Sequence, residues 1–402
     1  MARKWLSNSI LLLALTLLTA CGGKRAPQSW AERLQQEPAP DSIDFRYARL
    51  IHVEQRDDCR IVYIDHPWKT GKTLHTYVLV PHTATVSQPQ GTVVRVPIQR
   101  SVVFTSVHCA LLDQLQATAQ VTGVADLKYI KVPYVQEGVK AGTIVDCGDG
   151  MAPLVEKIID AGTDAILLSP FENSGGYGRL EDIDIPIIEC AEYMETSPLA
   201  RAEWMRFYGM LYGKEKEADS LFHEVETRYH ALRQLAVDGG STSDTNTLTA
   251  RPSVVMDKMA GSVWYVPGGR STIGQMLADA GADYPWADDP NSGSLQLSFE
   301  TVLERAGHCQ LWLLRYDSQQ PLTLNALLSE KDGYRMMNAV KSSISSHQSS
   351  TPTGIYACNV STSMFYEETP FRPDLLLQDF IKILHPDIPN LPPLRYYHIL
   401  AP

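Results

Sequence analysis

A histidine, His108, stands where a helix should open directly after the apolar run Ser101-Val-Val-Phe-Thr105. An imidazole at a helix N-terminus can contact a ligand, bind a metal or serve the backbone. Other chemistry-bearing side chains also follow apolar runs: Phe171 with Glu172, Tyr193, Arg315 with Tyr316, and Phe365 with Tyr366. Trp264 and Tyr265 lie inside such a run, so one of the two is expected to pack in the core, and Arg372 stands before the proline that heads an amphipathic segment. Aromatic faces suit a flat conjugated ligand, and guanidinium groups suit an anionic one. No nucleophile–base cluster, metal-ligand pair or dinucleotide fingerprint stands out, so no catalytic residue, metal or cofactor is assigned. Gly71-Lys72-Thr73 has the tail of a phosphate loop, but His66 occupies the place of its first glycine. A strand follows it in place of the required helix, so residues 68–72 read as a hairpin turn. Ser174-Gly-Gly-Tyr-Gly178 and Pro267-Gly-Gly269 read as turns too.

Ligand-contacting residues at strand ends need sheets to carry them. Apolar runs at 101–105, 121–125, 165–168 and 185–188 alternate with helical patterns at 106–120 and 153–161, which predicts a mainly parallel sheet covered by helices. A second set of strands, at 253–256, 263–266, 311–314 and 354–357, alternates with helices at 271–280, 299–305, 322–328 and 372–384. Between the two sets lies a helical stretch. Ser197-Pro198 is a helix start. Trp204, Phe207, Tyr208 and Leu211 share one face, and after Gly213 a second run carries Ala218, Leu221, Phe222, Val225, Tyr229 and Leu232 on one face. With no proline or internal glycine from 214 to 237, it predicts a helix of roughly 35 Å. Two strands, at 61–64 and 76–80, precede the first set. The proline-rich end after residue 384 is expected on the surface.

The chain has 402 residues and a formal net charge of -11, which implies several domains and argues against nucleic acid as a partner. Arg3 and Lys4 precede an apolar segment at 10–18, and Leu18-Thr-Ala-Cys21 follows it. That segment is too short to span a bilayer. The arrangement resembles a bacterial lipobox, which implies a lipidated Cys21 and a membrane-anchored protein tethered by the polar residues 24–40. The other six cysteines, 59, 109, 147, 190, 309 and 358, contain no C-x-x-C pair and mostly sit by apolar runs, so buried thiols are expected with one disulfide left open.

Residues 93–388 resemble the substrate-binding proteins of iron-chelate, haem and cobalamin ABC importers. The resemblance rests on the opening strand with Arg100, the segment Ser106-Val-His-Cys-Ala-Leu-Leu-Asp-Gln-Leu115, and the V-x-G-V run at 121–124. It rests also on Met151-Ala-Pro-Leu-Val-Glu156-Lys-Ile-Ile with Asp164-Ala-Ile-Leu-Leu, the long helix, Ser298-Phe-Glu300, and Arg372-Pro-Asp-Leu375. Gly162-Thr163 departs from the family pattern before Asp164, and residues 41–95 lie outside the common core. The resemblance implies two Rossmann-like α/β lobes joined by one long backbone helix, plus a small β-containing extension. The boundaries expected are 1–21 signal peptide, 22–94 tether and extension, 95–197 first lobe, 198–238 connecting helices and 239–402 second lobe. It further implies a non-enzymatic, monomeric, periplasmic lipoprotein. Its ligand would be a ferric-siderophore-type chelate, or cobalamin or haem, and its partner a membrane permease with its ATPase. Ligand contacts would come from His108, Phe171, Glu172, Tyr193, Trp264, Tyr265, Arg315, Tyr316, Phe365, Tyr366 and Arg372. Glu156 and Glu300, equivalently placed at helix starts, would dock on permease arginines.

Overall fold

The computed structural model describes residues 42–85, 90–172, 176–239, 251–345 and 352–400. Cys21, the signal-like segment and the tether lie outside them.

The first five strands form one sheet: β1 (Ser42–Ile43), β2 (Ile51–Gln55), β3 (Arg60–Asp65), β4 (Thr73–Pro81) and β5 (Thr92–Val96), in sequential order. The turn expected at 68–72 joins β3 to β4, with His66 N–H donating to the Lys72 carbonyl at 2.8 Å. The pairs are antiparallel except for β4 with β5. Alternation along β2 and β3 buries Ile51, Val53, Val62 and Ile64 in the same core that supports both lobes. Two buried carboxylates fasten this sheet to the connecting helices. Glu203 accepts from the backbone N–H groups of Arg46, Tyr47 and Ala48 at 2.8–2.9 Å. Glu195 accepts from those of Arg49 and Leu50 and from the Trp204 indole. The extension is therefore integral to the core.

The first lobe is a five-stranded sheet of β6 (Ser101–Val103), β7 (Val121–Val124), β8 (Val145–Asp146), β11 (Ala165–Leu168) and β12 (Ile187–Glu189), ordered β12-β11-β6-β7-β8 and wholly parallel. A small hairpin, β9 (Gly148–Asp149) with β10 (Ala152–Pro153), rises beside it. Every residue of β6, β7 and β11 is buried, as a parallel sheet covered on both faces requires. The order turns at β6, whose neighbours β7 and β11 lie on opposite sides, and such a switch point opens a crevice at the strands' carboxyl ends.

The second lobe carries β13 (Val254–Met256), β17 (Leu311–Tyr316) and β18 (Gly354–Asn359) in parallel, closed by the antiparallel β19 (Tyr397–Ile399). The proline-rich stretch 385–395 has no buried residue, as expected of a surface segment, but the segment after it is woven into the sheet, with Tyr396, Tyr397 and Leu400 buried. Its anchor is Asp379, whose carboxylate accepts from the backbone of Arg395, Tyr396 and Tyr397. The strand at 263–266 does not belong to the parallel sheet either. It forms β15 (Val263–Pro267) between β14 (Met259–Ala260) and β16 (Ser294–Leu297) in a separate antiparallel sheet.

Three successive helices connect the lobes: Pro198–Glu203, Met205–Tyr212 and Glu215–Gly239. Ser197 caps the first, its side chain accepting from Ala200 N–H. Gly213 ends the second in a left-handed conformation, φ 65°, that glycine adopts without a Cβ penalty. The third runs 25 residues. Two helices are shorter than their sequence patterns. The one opening at Ser106 stops at Gln114, because Gln116 turns left-handed with φ 56°. The one expected from 153 begins at Val155, because Ala152 and Pro153 are taken by β10.

The six cysteines among the described residues are free thiols, and all but Cys59 are buried. No helix among the described residues is long and apolar enough to cross a membrane.

Candidate functional site

A cavity of about 310 Å³ opens between the lobes. Val107, from the first lobe, lines one side; Pro198 and Arg201, from the first connecting helix, form its floor; the second lobe supplies the rest. Three second-lobe pieces converge there. Ser271 and Thr272 open the helix Thr272–Asp279, and the Ser271 hydroxyl caps it by accepting from Gly274 N–H at 3.0 Å. Gly268 and Gly269 let that turn close: a Cβ on Gly269 would stand 2.2 Å from the Ala287 carbonyl oxygen. Arg315 is the penultimate residue of β17, and the short helix Phe365–Glu368 adds Phe365 and Tyr366 to the lining.

The two cavity arginines differ in state. Arg315 forms a bidentate pair with Asp257, at 2.8 and 2.6 Å, and its guanidinium carbon lies 5.6 Å from the Phe365 ring centre. Burial opposes its charge, but Asp257 outweighs burial and holds its pKa well above the ordinary guanidinium value. Its charge is already balanced. Arg201 has no ion pair among the described residues, and its Nε is shut off from solvent without a hydrogen-bond acceptor. Burial pushes its pKa down, with Glu192 and Tyr208 pulling the other way. An unpartnered buried donor of this kind costs free energy that an arriving anion would return.

The expected contacts separate on this geometry. Arg315, Phe365 and Tyr366 line the cavity, and Tyr366 is 49% exposed. Tyr316 is buried, its hydroxyl accepting from Leu322 N–H. Arg372 is held by Asp374 and Glu224 and is not among the residues lining the cavity. Phe171 and Glu172 are exposed outside the lining, as is Tyr265 at 41%. The Tyr193 hydroxyl donates to the Pro170 carbonyl.

Two of the expected contacts are shut away from the cavity. Trp264 is fully buried, stacked on Phe299 and tilted against Trp312, with its indole donating to the Met256 carbonyl. Alternation along β15 sends Trp264 inward and Tyr265 outward. His108 is 1% exposed and does not line the cavity. Its ring turns beneath the helix, where Nδ1 meets the Thr105 hydroxyl and Nε2 lies 2.9 Å from the Tyr208 hydroxyl and 3.2 Å from Glu192 Oε1.

Arg201, Ser271 and Thr272 escape a search confined to strand ends. Arg201 does leave a trace in the sequence: Pro198-Leu-Ala-Arg201-Ala-Glu-Trp204 puts a cation among residues that are otherwise buried.

Glu156 sits in the first turn of the helix Val155–Asp160, paired at 2.7 Å with Arg179 and 67% exposed. The Arg179 guanidinium, through a hydrogen bond, holds its pKa below the usual carboxylate value. Glu300 is exposed in the first turn of the helix Phe299–Ala306, which Ser298 caps.

Residues 102–343, more than half of the chain, match the family model described as periplasmic binding protein. An uncharacterized lipoprotein of Methanocaldococcus jannaschii is 25% identical over 305 residues, 73% of this chain and 67% of that one. A periplasmic haem-binding protein from Pseudomonas aeruginosa superposes with a TM-score of 0.54 at 14% identity, covering 76% of this chain and 99% of that one. A molybdate-binding periplasmic protein from Haemophilus influenzae superposes with a TM-score of 0.52 at 18% identity, covering 72% and 87%. These structures share the two-lobed fold; their ligands differ.

Proposed function

Because the chain belongs to the periplasmic binding protein family, whose members are binding and not catalytic components of transport, we propose that it captures an anionic metal chelate of the ferric-siderophore type in the interlobe cavity and delivers it to an ABC permease. Arg201 carries this reading: a guanidinium without a protein counter-ion faces the cavity. Phe365 and Tyr366 beside it offer aromatic surface to a flat chelating group. Thr272 adds a hydroxyl at a helix start, which favours negative charge, while the Ser271 hydroxyl is committed to the Gly268 carbonyl and to Gly274 N–H.

Haem is the second reading. It needs an axial tyrosine or histidine. Of His108, Tyr193 and Tyr366, only Tyr366 lines the cavity.

Calorimetric titration of the full chain in detergent with a ferric tris-catecholate, a ferric trihydroxamate, haemin, cyanocobalamin and molybdate tests both readings. Saturable binding of the anionic ferric chelate, weakened in Arg201→Gln, is expected. Haemin binding that is lost in Tyr366→Phe would replace the chelate reading with haem, and silence across the panel would sink both. In the same proposal Cys21 carries the lipid anchor, and Cys21→Ala shifts the protein from the membrane to the soluble fraction.

A further inference from the structure

Below the cavity floor lies a buried group of charges that the binding reading leaves unused. We propose that His108 is a positioning residue for Arg201: it occupies the Glu192 carboxylate and so leaves Arg201 without a protein counter-ion, ready for the negative charge of a ligand. The proposal rests on the cavity being the ligand site.

The geometry is a competition for one carboxylate. Glu192 is 1% exposed, and both its oxygens are engaged. Oε1 lies 3.2 Å from His108 Nε2, and Oε2 accepts from the Tyr208 hydroxyl at 2.9 Å. The His108 ring has oxygen at each nitrogen, Thr105 Oγ1 at Nδ1 and Tyr208 and Glu192 at Nε2, an arrangement that accommodates an imidazolium donating at both ends. Five residues surround that ring: Thr105 from its own helix cap, Cys190 and Glu192 after β12, Tyr208 from the connecting helix, and Phe371 from the second lobe at 6.3 Å between ring centres. Burial works against a charged His108, but Cys190 and Glu192 outweigh it and bring its pKa up to about 10. Arg201 also feels Glu192, yet forms no ion pair with it.

Two cations therefore share one carboxylate, and the nearer one is not the one at the cavity. Without the charge on His108, the Glu192 carboxylate would be left to balance Arg201. The cavity would then lose the unpaired positive charge that distinguishes Arg201 from the already neutralised Arg315. Placing the spare cation on a rigid connecting helix, and its competitor beneath, pre-organises the subsite at no cost in loop ordering when the ligand arrives.

The test uses inorganic phosphate as the probe and nitrogen NMR of the histidine- and arginine-labelled full chain in detergent. His108 should show imidazolium resonances at neutral pH, and phosphate should shift the Arg201 Nε resonance. His108→Gln, which keeps a hydrogen-bonding group and removes the charge, should weaken phosphate binding about tenfold, or ~1.4 kcal/mol. A neutral His108 at neutral pH, an Arg201 Nε unmoved by millimolar phosphate, or unchanged phosphate affinity in a folded His108→Gln each overturns the proposal. If that variant fails to fold, the wild-type spectra decide alone. Ferric chelates that fail to bind while phosphate still moves Arg201 would remove the chelate reading and support the role of His108.

Discussion

Arg201 and Arg315 share a cavity and should respond differently to substitution. Arg201→Gln removes a cation whose charge-assisted hydrogen bonds are worth about 1.5–3 kcal/mol each, so affinity for an anionic chelate should fall about tenfold to a hundredfold, read by calorimetry. Folding stability should change little or rise, since an unpartnered buried donor is removed. Arg315→Gln instead strands Asp257, and its main effect should be a lower thermal midpoint. The His108–Glu192 pair also gives stability a pH signature. The raised histidine pKa contributes stability that is fully present below the unfolded value of 6.5 and is lost as pH rises through about 10. Glu192 is lowered, burial opposing and His108 prevailing, so its share is present above its ordinary value and is lost as pH falls. Thermal melts of the wild type should decline as pH rises from 6.5 through about 10, and those of His108→Gln should lack that decline. At this scale the sequence tells residue type and misses direction. Trp264 and Tyr265 are adjacent in the chain and face opposite ways, and His108 is in the expected helix turn but rotated into the core.

The elements were more legible, because strands and helices follow from patterns of apolar residues that one sequence carries whole. The alternating strands and helices of the first lobe, Ser197 as a cap and Gly213 as a break all stand in the structure. What periodicity could not show was pairing. Nothing local tells that Val263–Pro267 leaves the parallel sheet, or that Tyr397–Ile399 completes it, since both depend on partners distant in sequence. The fastening of the extension is another such feature. Glu203 is fully buried against three backbone N–H groups of residues 46–48. Glu203→Ala should therefore destabilise the protein by about 3 kcal/mol, seen in urea unfolding. Hydrogen exchange should rise first in β1 and β2. Gly209 marks another close approach: a Cβ there would stand 2.7 Å from that of Ala218 and 3.0 Å from the Lys214 carbonyl oxygen. Gly209→Ala should push the two connecting helices apart, at about 1–3 kcal/mol.

For the molecule as a whole, a stiff connection limits how the lobes move. The helix Glu215–Gly239 packs along both Met205–Tyr212 and Pro373–Leu384, and so ties the connection to the second lobe. Solution scattering with and without a bound chelate should differ only slightly; a change of many ångströms would contradict a rigid connection. Delivery needs a docking face as well as a cleft, and Glu156 and Glu300 are the groups proposed for it. The double variant Glu156→Arg with Glu300→Arg should abolish uptake in cells and leave chelate affinity intact. Normal uptake would remove the docking role.

The extension's attachment has a mechanical consequence. Among the described residues β1 comes first, and its sheet is bound through Glu195 and Glu203 to the first connecting helix, which also carries Arg201. A pull arriving from the N-terminal side loads β1 in shear against β2. Next it reaches the carboxylate clamps, and the strands of the two lobes bear it last. Under the anchor proposed at Cys21, tension would be taken up by this dedicated fastening, and the cleft would keep its shape while the molecule is tugged about.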